Sequence, residues 1–146
     1  QSAIGCAQME RIKWFVGNKL NLVKNYNSKL GKLNFITLPG EYGSVKNSYW
    51  LYTIKLNDDL SKYKNRIIKE LNFYGIEARQ IFFPMNLMKP YQKYLNKKDK
   101  FPVSLKLFNN SISLPSAYDV KKSDINKIYK FLSKFKNTLM IQKKYL

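Results

Sequence analysis

Apolar positions recur along this chain in two rhythms, and the first is helical. From Gln1 to about Asn25, Ile4, Ala7, Ile12, Phe15, Val16 and Leu20 fall on one face. Cys6, Met9, Trp14 and Val23 load another, so the helix is apolar on two sides and calls for two partners. No Ser, Thr, Asp or Asn precedes the pattern as a cap. The expectation is a fragment: residues 1–25 form a linking helix toward a larger domain, and 26–146 form the body of a single domain.

The second rhythm is that of strands. Trp50, Tyr52, Ile54 and Leu56 alternate with Tyr49, Leu51, Thr53 and Lys55, which predicts a strand over 48–56. Asn25 to Asn47 is punctuated by turn residues, with a short extended piece allowed at 33–38. Asn57-Asp58-Asp59 reads as a cap for a helix over 60–74, with Tyr63, Ile67, Leu71 and Tyr74 on its core side. Gly75 suits the residue past that helix's end, and 76–83 reads as a second strand with Glu77 and Arg79 on one face. A loop from Pro84 to Pro90, a helical turn at 91–96 and a charged loop at 97–100 follow. Residues 104–108 fit helix or strand equally. Asn109-Asn110 reads as a turn, 111–114 as a strand stopped by Pro115, and Ser123 as the cap of a last helix. That helix repeats Ile125, Ile128, Tyr129, Leu132 and Phe135 at core spacing. The sum is a small α+β domain, a short and mainly antiparallel sheet covered by helices and led in by a long N-terminal helix.

Composition narrows the chemistry. The 146 residues contain no histidine and one cysteine, which argues strongly against a zinc site and removes histidine acid–base catalysis. Cys6, set among Ile4, Ala7 and Met9, reads as a small buried apolar residue in a reducing, cytoplasmic compartment. No apolar run is long enough to span a bilayer. The net charge of +18 admits a polyanion partner, and a basic binding module for nucleic acid is the alternative function. Only Arg11, Arg66 and Arg79 of the 27 cations are arginine, however, and the charge is spread along the chain, which argues against base readout. There is no Gly-rich phosphate loop, no nucleophile elbow and no paired carboxylates.

The run from Gly75 to Tyr91, Gly-Ile-Glu-Ala-Arg-Gln-Ile-Phe-Phe-Pro-Met-Asn-Leu-Met-Lys-Pro-Tyr, feeds a strand into a proline-bounded loop, a common way to set side chains at a pocket mouth. It resembles the small-domain motif of the DegT/DnrJ/StrS-type sugar aminotransferases, and within them the perosamine-synthase-like members. Three further stretches agree in order: Gln-Ser-Ala-Ile-Gly-Cys-Ala-Gln-Met-Glu-Arg at 1–11, Ser-Tyr-Trp-Leu-Tyr at 48–52, and Ile-Ser-Leu-Pro at 112–115 with Ser-Asp-Ile at 123–125.

The resemblance implies a pyridoxal-phosphate-dependent fold in which an amino group passes from glutamate to a nucleotide-linked keto sugar. It implies a homodimeric parent, while the short apolar runs and dispersed charge already argue against a membrane or nucleic-acid partner and the lone cysteine fits the cytoplasm. The cofactor lysine belongs to the family's large domain, so pyridoxal phosphate is expected in a full-length parent and not in this chain alone, which should be inactive. Arg79 matches the family arginine on the substrate side of the cleft, against the plainer reading of a pair with Glu77. Asn86 stands where the family often has histidine facing the sugar, which leaves dehydration open beside amination. Pro84, Met85, Pro90 and Tyr91 shape the loop.

Overall fold

A computed structural model describes residues 1–41, 43–96 and 98–144, with side chains described through residue 139. They form two compact units, Gln1–Leu33 with Pro39–Tyr52 and Pro115–Leu146, and Asn34–Leu38 with Thr53–Leu114.

The first unit is helical. The leading helix is two helices, α1 (Ser2–Glu10) and α2 (Ile12–Leu30), separated at Arg11, whose φ of −101° and ψ of 5° leave the helical region. Neither glycine nor proline marks the break, so the apolar spacing gave no warning of it. The Arg11 guanidinium lies over the rings of Trp14 and Phe15, at 4.9 and 5.3 Å. Helix α2 also runs five residues past the expected end at Asn25. Those added turns matter, because its buried residues are Leu22, Val23, Tyr26 and Leu30. They pack with α6 (Lys122–Lys144), which buries Ile125, Ile128, Leu132, Phe135 and Leu139. Tyr129 of the expected core set is only half-buried. Ser123 lies inside α6, and the bond at its start runs from the Lys121 backbone N–H to the Asp124 carboxylate at 3.1 Å.

Tyr26 and Tyr52 stack with ring centroids 4.3 Å apart and planes 16° apart. Their hydroxyls donate to the Pro115 carbonyl at 2.8 Å and the Asn27 amide oxygen at 2.7 Å. Burial of two such rings is tolerable because both polar tips are satisfied.

The second unit carries a four-stranded sheet in the order β1-β2-β4-β3. Strand β1 (Ile36–Thr37) pairs antiparallel with β2 (Tyr52–Leu56), Ile36 opposite Leu56. Strand β3 (Arg79–Gln80) pairs antiparallel with β4 (Ser111–Leu114), Arg79 opposite Ser113. Both outer strands are shorter than the sequence suggested. The expected strand at 48–56 begins only at Tyr52, since Tyr49 takes a positive φ of 50° and Trp50, placed on the buried face by alternation, is 71% exposed.

Asn57-Asp58-Asp59 opens a 3-10 turn (Asp58–Tyr63) ahead of α3 (Lys64–Phe73), and no side chain caps either. Leu60, Lys64, Ile67 and Leu71 are the buried register, while Tyr63 is half-buried and Tyr74 exposed. Gly75 has the positive φ of 73° expected past a helix end, and the Ile76 N–H reaches back to the Leu71 carbonyl at 2.9 Å.

The undecided segment is helix α5 (Pro102–Asn110), with proline in its first turn, where the missing N–H costs nothing. The expected turn at Asn109-Asn110 is the end of α5, which passes directly into β4. Asn110 is buried and donates to the Leu56 carbonyl at 3.2 Å and the Asp58 carboxylate at 2.9 Å. All four residues of β4 are buried, so its serines need partners, and the hydroxyls of Ser113 and Thr53 lie 2.9 Å apart.

Candidate functional site

The Gly75–Tyr91 run keeps its outline but not its extended length. Ile76 and Ala78 are buried and fix the stretch, and the Asn72 side chain brackets Ala78 with bonds to its N–H and carbonyl at 2.9 and 3.1 Å. Arg79 therefore points away from the core, 72% exposed. Its Nε donates to Glu77 at 3.1 Å and an Nη closes the same ion pair, the partner anticipated for it, two residues back and just ahead of β3. Exposure of both groups leaves that pair little stabilising value and leaves the guanidinium free to exchange partners.

Buried Pro84 starts a 3-10 turn (Met85–Leu87) in which Asn86 is half-buried, and α4 (Lys89–Gln92) follows with Pro90 in its first turn. Two backbone bonds, Leu87 to Pro84 and Met88 to Met85, both 3.0 Å, set the turn. Met85 and Tyr91 are exposed, at 61% and 42%. Among the described residues no hydrogen bond joins Arg79 to Asn86. The run thus offers an exposed arginine and a turn-borne amide bordered by Phe82, Phe83, Met85 and Tyr91, all open to solvent.

Sequence reasoning missed Lys64. It occupies the core register of α3 and is only 5% exposed. Its Nζ donates to the Phe108 carbonyl at 2.6 Å and sits 4.2 Å from the centre of the Phe108 ring. Burial pushes its pKa below the ordinary lysine value. The signal was in the spacing: 60, 64, 67 and 71 continue one helical stripe, with a cation inside it. Ser61, Lys62, Lys64, Asn65, Gln80 and Asn109 line an open cavity of about 340 Å3 next to the Phe108 ring. Lys19 in the first unit is also shielded, and burial lowers its pKa. Its Nζ, however, is held by the carbonyls of Trp50 and Ser116.

Cys6 is exposed, not buried as its neighbours suggested, because α1 buries no residue at all. The face bearing Met9 and Trp14 is likewise open, at 64% and 46% exposure.

The sequence model of the DegT/DnrJ/EryC1/StrS aminotransferase family matches residues 1–133. The chain belongs to this family. Among curated proteins, the GDP-perosamine synthase of Caulobacter vibrioides is 31% identical over 129 residues, 88% of this chain and 34% of that protein. The GDP-perosamine synthase of Vibrio cholerae is 30% identical, covering 79% and 31%. This family member thus spans about a third of the length of the curated relatives it matches. Of solved structures, Helicobacter pylori PseC, an aminotransferase involved in the biosynthesis of pseudoaminic acid, superposes with a TM-score of 0.80 at 21% identity, covering 92% of this chain and 36% of that one.

The family's aminotransferases depend on pyridoxal phosphate. Neither of the two shielded lysines, Lys64 and Lys19, is set up to hold it. A site for it needs a lysine amine free to form an imine and a charged partner at the ring nitrogen. No carboxylate lines the Lys64 cavity to pair with a ring nitrogen, and Lys64 and Lys19 each sit as ammonium donors to backbone carbonyls. Among the described residues no helix is long and apolar enough to cross a membrane, and no cluster of His, Cys, Asp or Glu forms a metal site.

Proposed function

We propose that this chain is the C-terminal small domain of a cytoplasmic, homodimeric sugar aminotransferase. The enzyme moves an amino group from glutamate to a nucleotide-linked keto sugar, and the cofactor-bearing large domain is supplied by another segment. The carrying observation is the family match over residues 1–133, which corresponds to only a third of a GDP-perosamine synthase. The open face of α1, with Ile4, Cys6 and Met9 exposed, supports a helix made to be covered by that other domain. Arg79 is the substrate-side cation, suited as a planar fork to a carboxylate or a sugar-nucleotide phosphate. Asn86 offers the sugar a hydrogen-bonding amide without a titratable ring.

The test is a chimera in which the first two-thirds of the Caulobacter relative precedes this chain. It should bind pyridoxal phosphate and transfer nitrogen from glutamate to a GDP-linked keto sugar, while the chain alone does neither. Arg79→Ala in the chimera should raise KM more than it lowers kcat. A chimera that binds the cofactor yet never transfers nitrogen sinks the reading, and loss of water in place of gain of nitrogen reassigns it to a dehydratase. Thiol labelling gives an independent check: Cys6 should react freely in the chain alone and be protected in the chimera.

A further inference from the structure

The Lys64 cavity has no part in the aminotransferase reading, and its charge balance is incomplete. A buried ammonium loses much of its hydration, a cost that only a good counter-charge offsets. The Phe108 ring, 4.2 Å away, returns only a small part of it by cation–π attraction. Its carbonyl accepts one of three N–H donors and carries no net charge. Among the described residues no carboxylate pairs with Lys64. The rest of the lining leans the same way. Lys62 adds a second cation, and the Gln80 amide donates to Asn65 Oδ1 at 2.9 Å. That bond engages Asn65's oxygen and leaves its NH2 with donors to offer. Asn109 and Ser61 complete a wall with two positive charges and no negative one.

We propose that this cavity is a binding site for a phosphoryl group, with Lys64 as its charged anchor and Lys62, Asn65 and Gln80 as further donors. A compact dianion supplies the missing counter-charge, and charge-assisted bonds to it are about twice as strong as neutral ones. The group is either free inorganic phosphate or the phosphate of a nucleotide. The inference does not rest on the aminotransferase reading, and either can fail without the other.

Calorimetric titration of the 146-residue chain at fixed ionic strength tests it, with inorganic phosphate, GDP and guanosine as separate titrants. Saturable one-to-one binding of phosphate is expected, with guanosine silent. GDP binding tighter than phosphate assigns the site to a nucleotide, and equal affinity assigns it to the free ion. Lys64→Met should weaken binding at least about 30-fold, the low end for removing one member of a buried charge pair. In phosphate-free buffer the same variant should melt no lower than the wild type, since an apolar replacement relieves an uncompensated charge. Gln80→Glu, an exposed change, should keep the fold and also suppress binding. Absence of saturable binding overturns the proposal. So does binding that is unchanged in both variants, which would mark adsorption to a +18 surface.

Discussion

Helices α1 and α6 belong to the same compact unit and both carry apolar side chains, yet they meet opposite fates. Helix α6 buries Ile125, Ile128, Leu132, Phe135 and Leu139, and the Asp124 carboxylate closes its first turn. Helix α1 buries nothing, has no side-chain cap and no acid in its first turn. Helix α2 divides the same way along its own length. Ile12, Trp14, Val16 and Leu20 are exposed by more than a third, whereas Leu22, Val23, Tyr26 and Leu30 are buried. Periodicity states which side chains are fit to be covered; it does not state that a cover is present. In α1 and the front of α2 the pattern outruns the packing available within the unit.

The sharpest break in this comparison is a matched truncation. Leu132→Ala should cost about 2–5 kcal/mol of unfolding free energy, as removal of a fully buried leucine usually does. Ile4→Ala should stay within about 0.5 kcal/mol, the range for surface changes. Urea midpoints for the pair measure it, and equal losses would mean that α1 is covered after all.

Alkali should weaken the buried part of α2 around the Tyr26–Tyr52 stack. Burial raises the pKa of both Tyr26 and Tyr52 above 10.0, with Asp124 adding to the rise at Tyr26. The unfolded chain therefore releases these protons first. The stability they contribute is intact below pH 10 and drains as pH rises through and beyond it. Urea midpoints taken from about pH 9 to about pH 11 should fall for the wild type and fall less for Tyr26→Phe. Between those conditions the helicity of α1, which holds no tyrosine, should change little.

The smallest effect lies at the cap. A hydrogen bond from the Lys121 N–H, followed by the Lys127 ammonium, holds the Asp124 pKa below 3.8. A depressed carboxylate stabilises above its unfolded value and loses that contribution as pH falls through its folded one. The melting-temperature gap between wild type and Asp124→Asn should be open at neutral pH and close in acid. A gap that persists in acid would show that the side chain's shape, not its charge, matters.

Legibility followed the same division. The spacing of α6, the turn at Gly75 and the strand at 111–114 were readable because each has a local cause: a helical period, a residue tolerant of positive φ, and a run ended by Pro115. Tyr49's backbone, the break at Arg11 and the helical state of α5 depend on surroundings that a short window does not contain. Arg79 and its Glu77 partner were readable because they lie two residues apart in sequence. Lys64 was not, because a lysine is ordinarily assigned to water and only the register of Leu60, Ile67 and Leu71 places it inside. The family emerged from four spaced stretches that carry no catalytic chemistry of their own.

One joint in the second unit constrains how the chain can change length. Helix α5 ends at Asn110 and β4 begins at Ser111, with no connecting residue. Asn110 is meanwhile tethered to Leu56 and Asp58. One residue inserted there would turn β4 over, exchanging the places of Ile112 and Leu114 with those of Ser111 and Ser113. Every position of this strand is buried, so neither face can absorb the error. Insertions and deletions should accumulate in the 39–51 segment and be purged at this joint, which makes the step from helix to strand a fixed ruler within the domain.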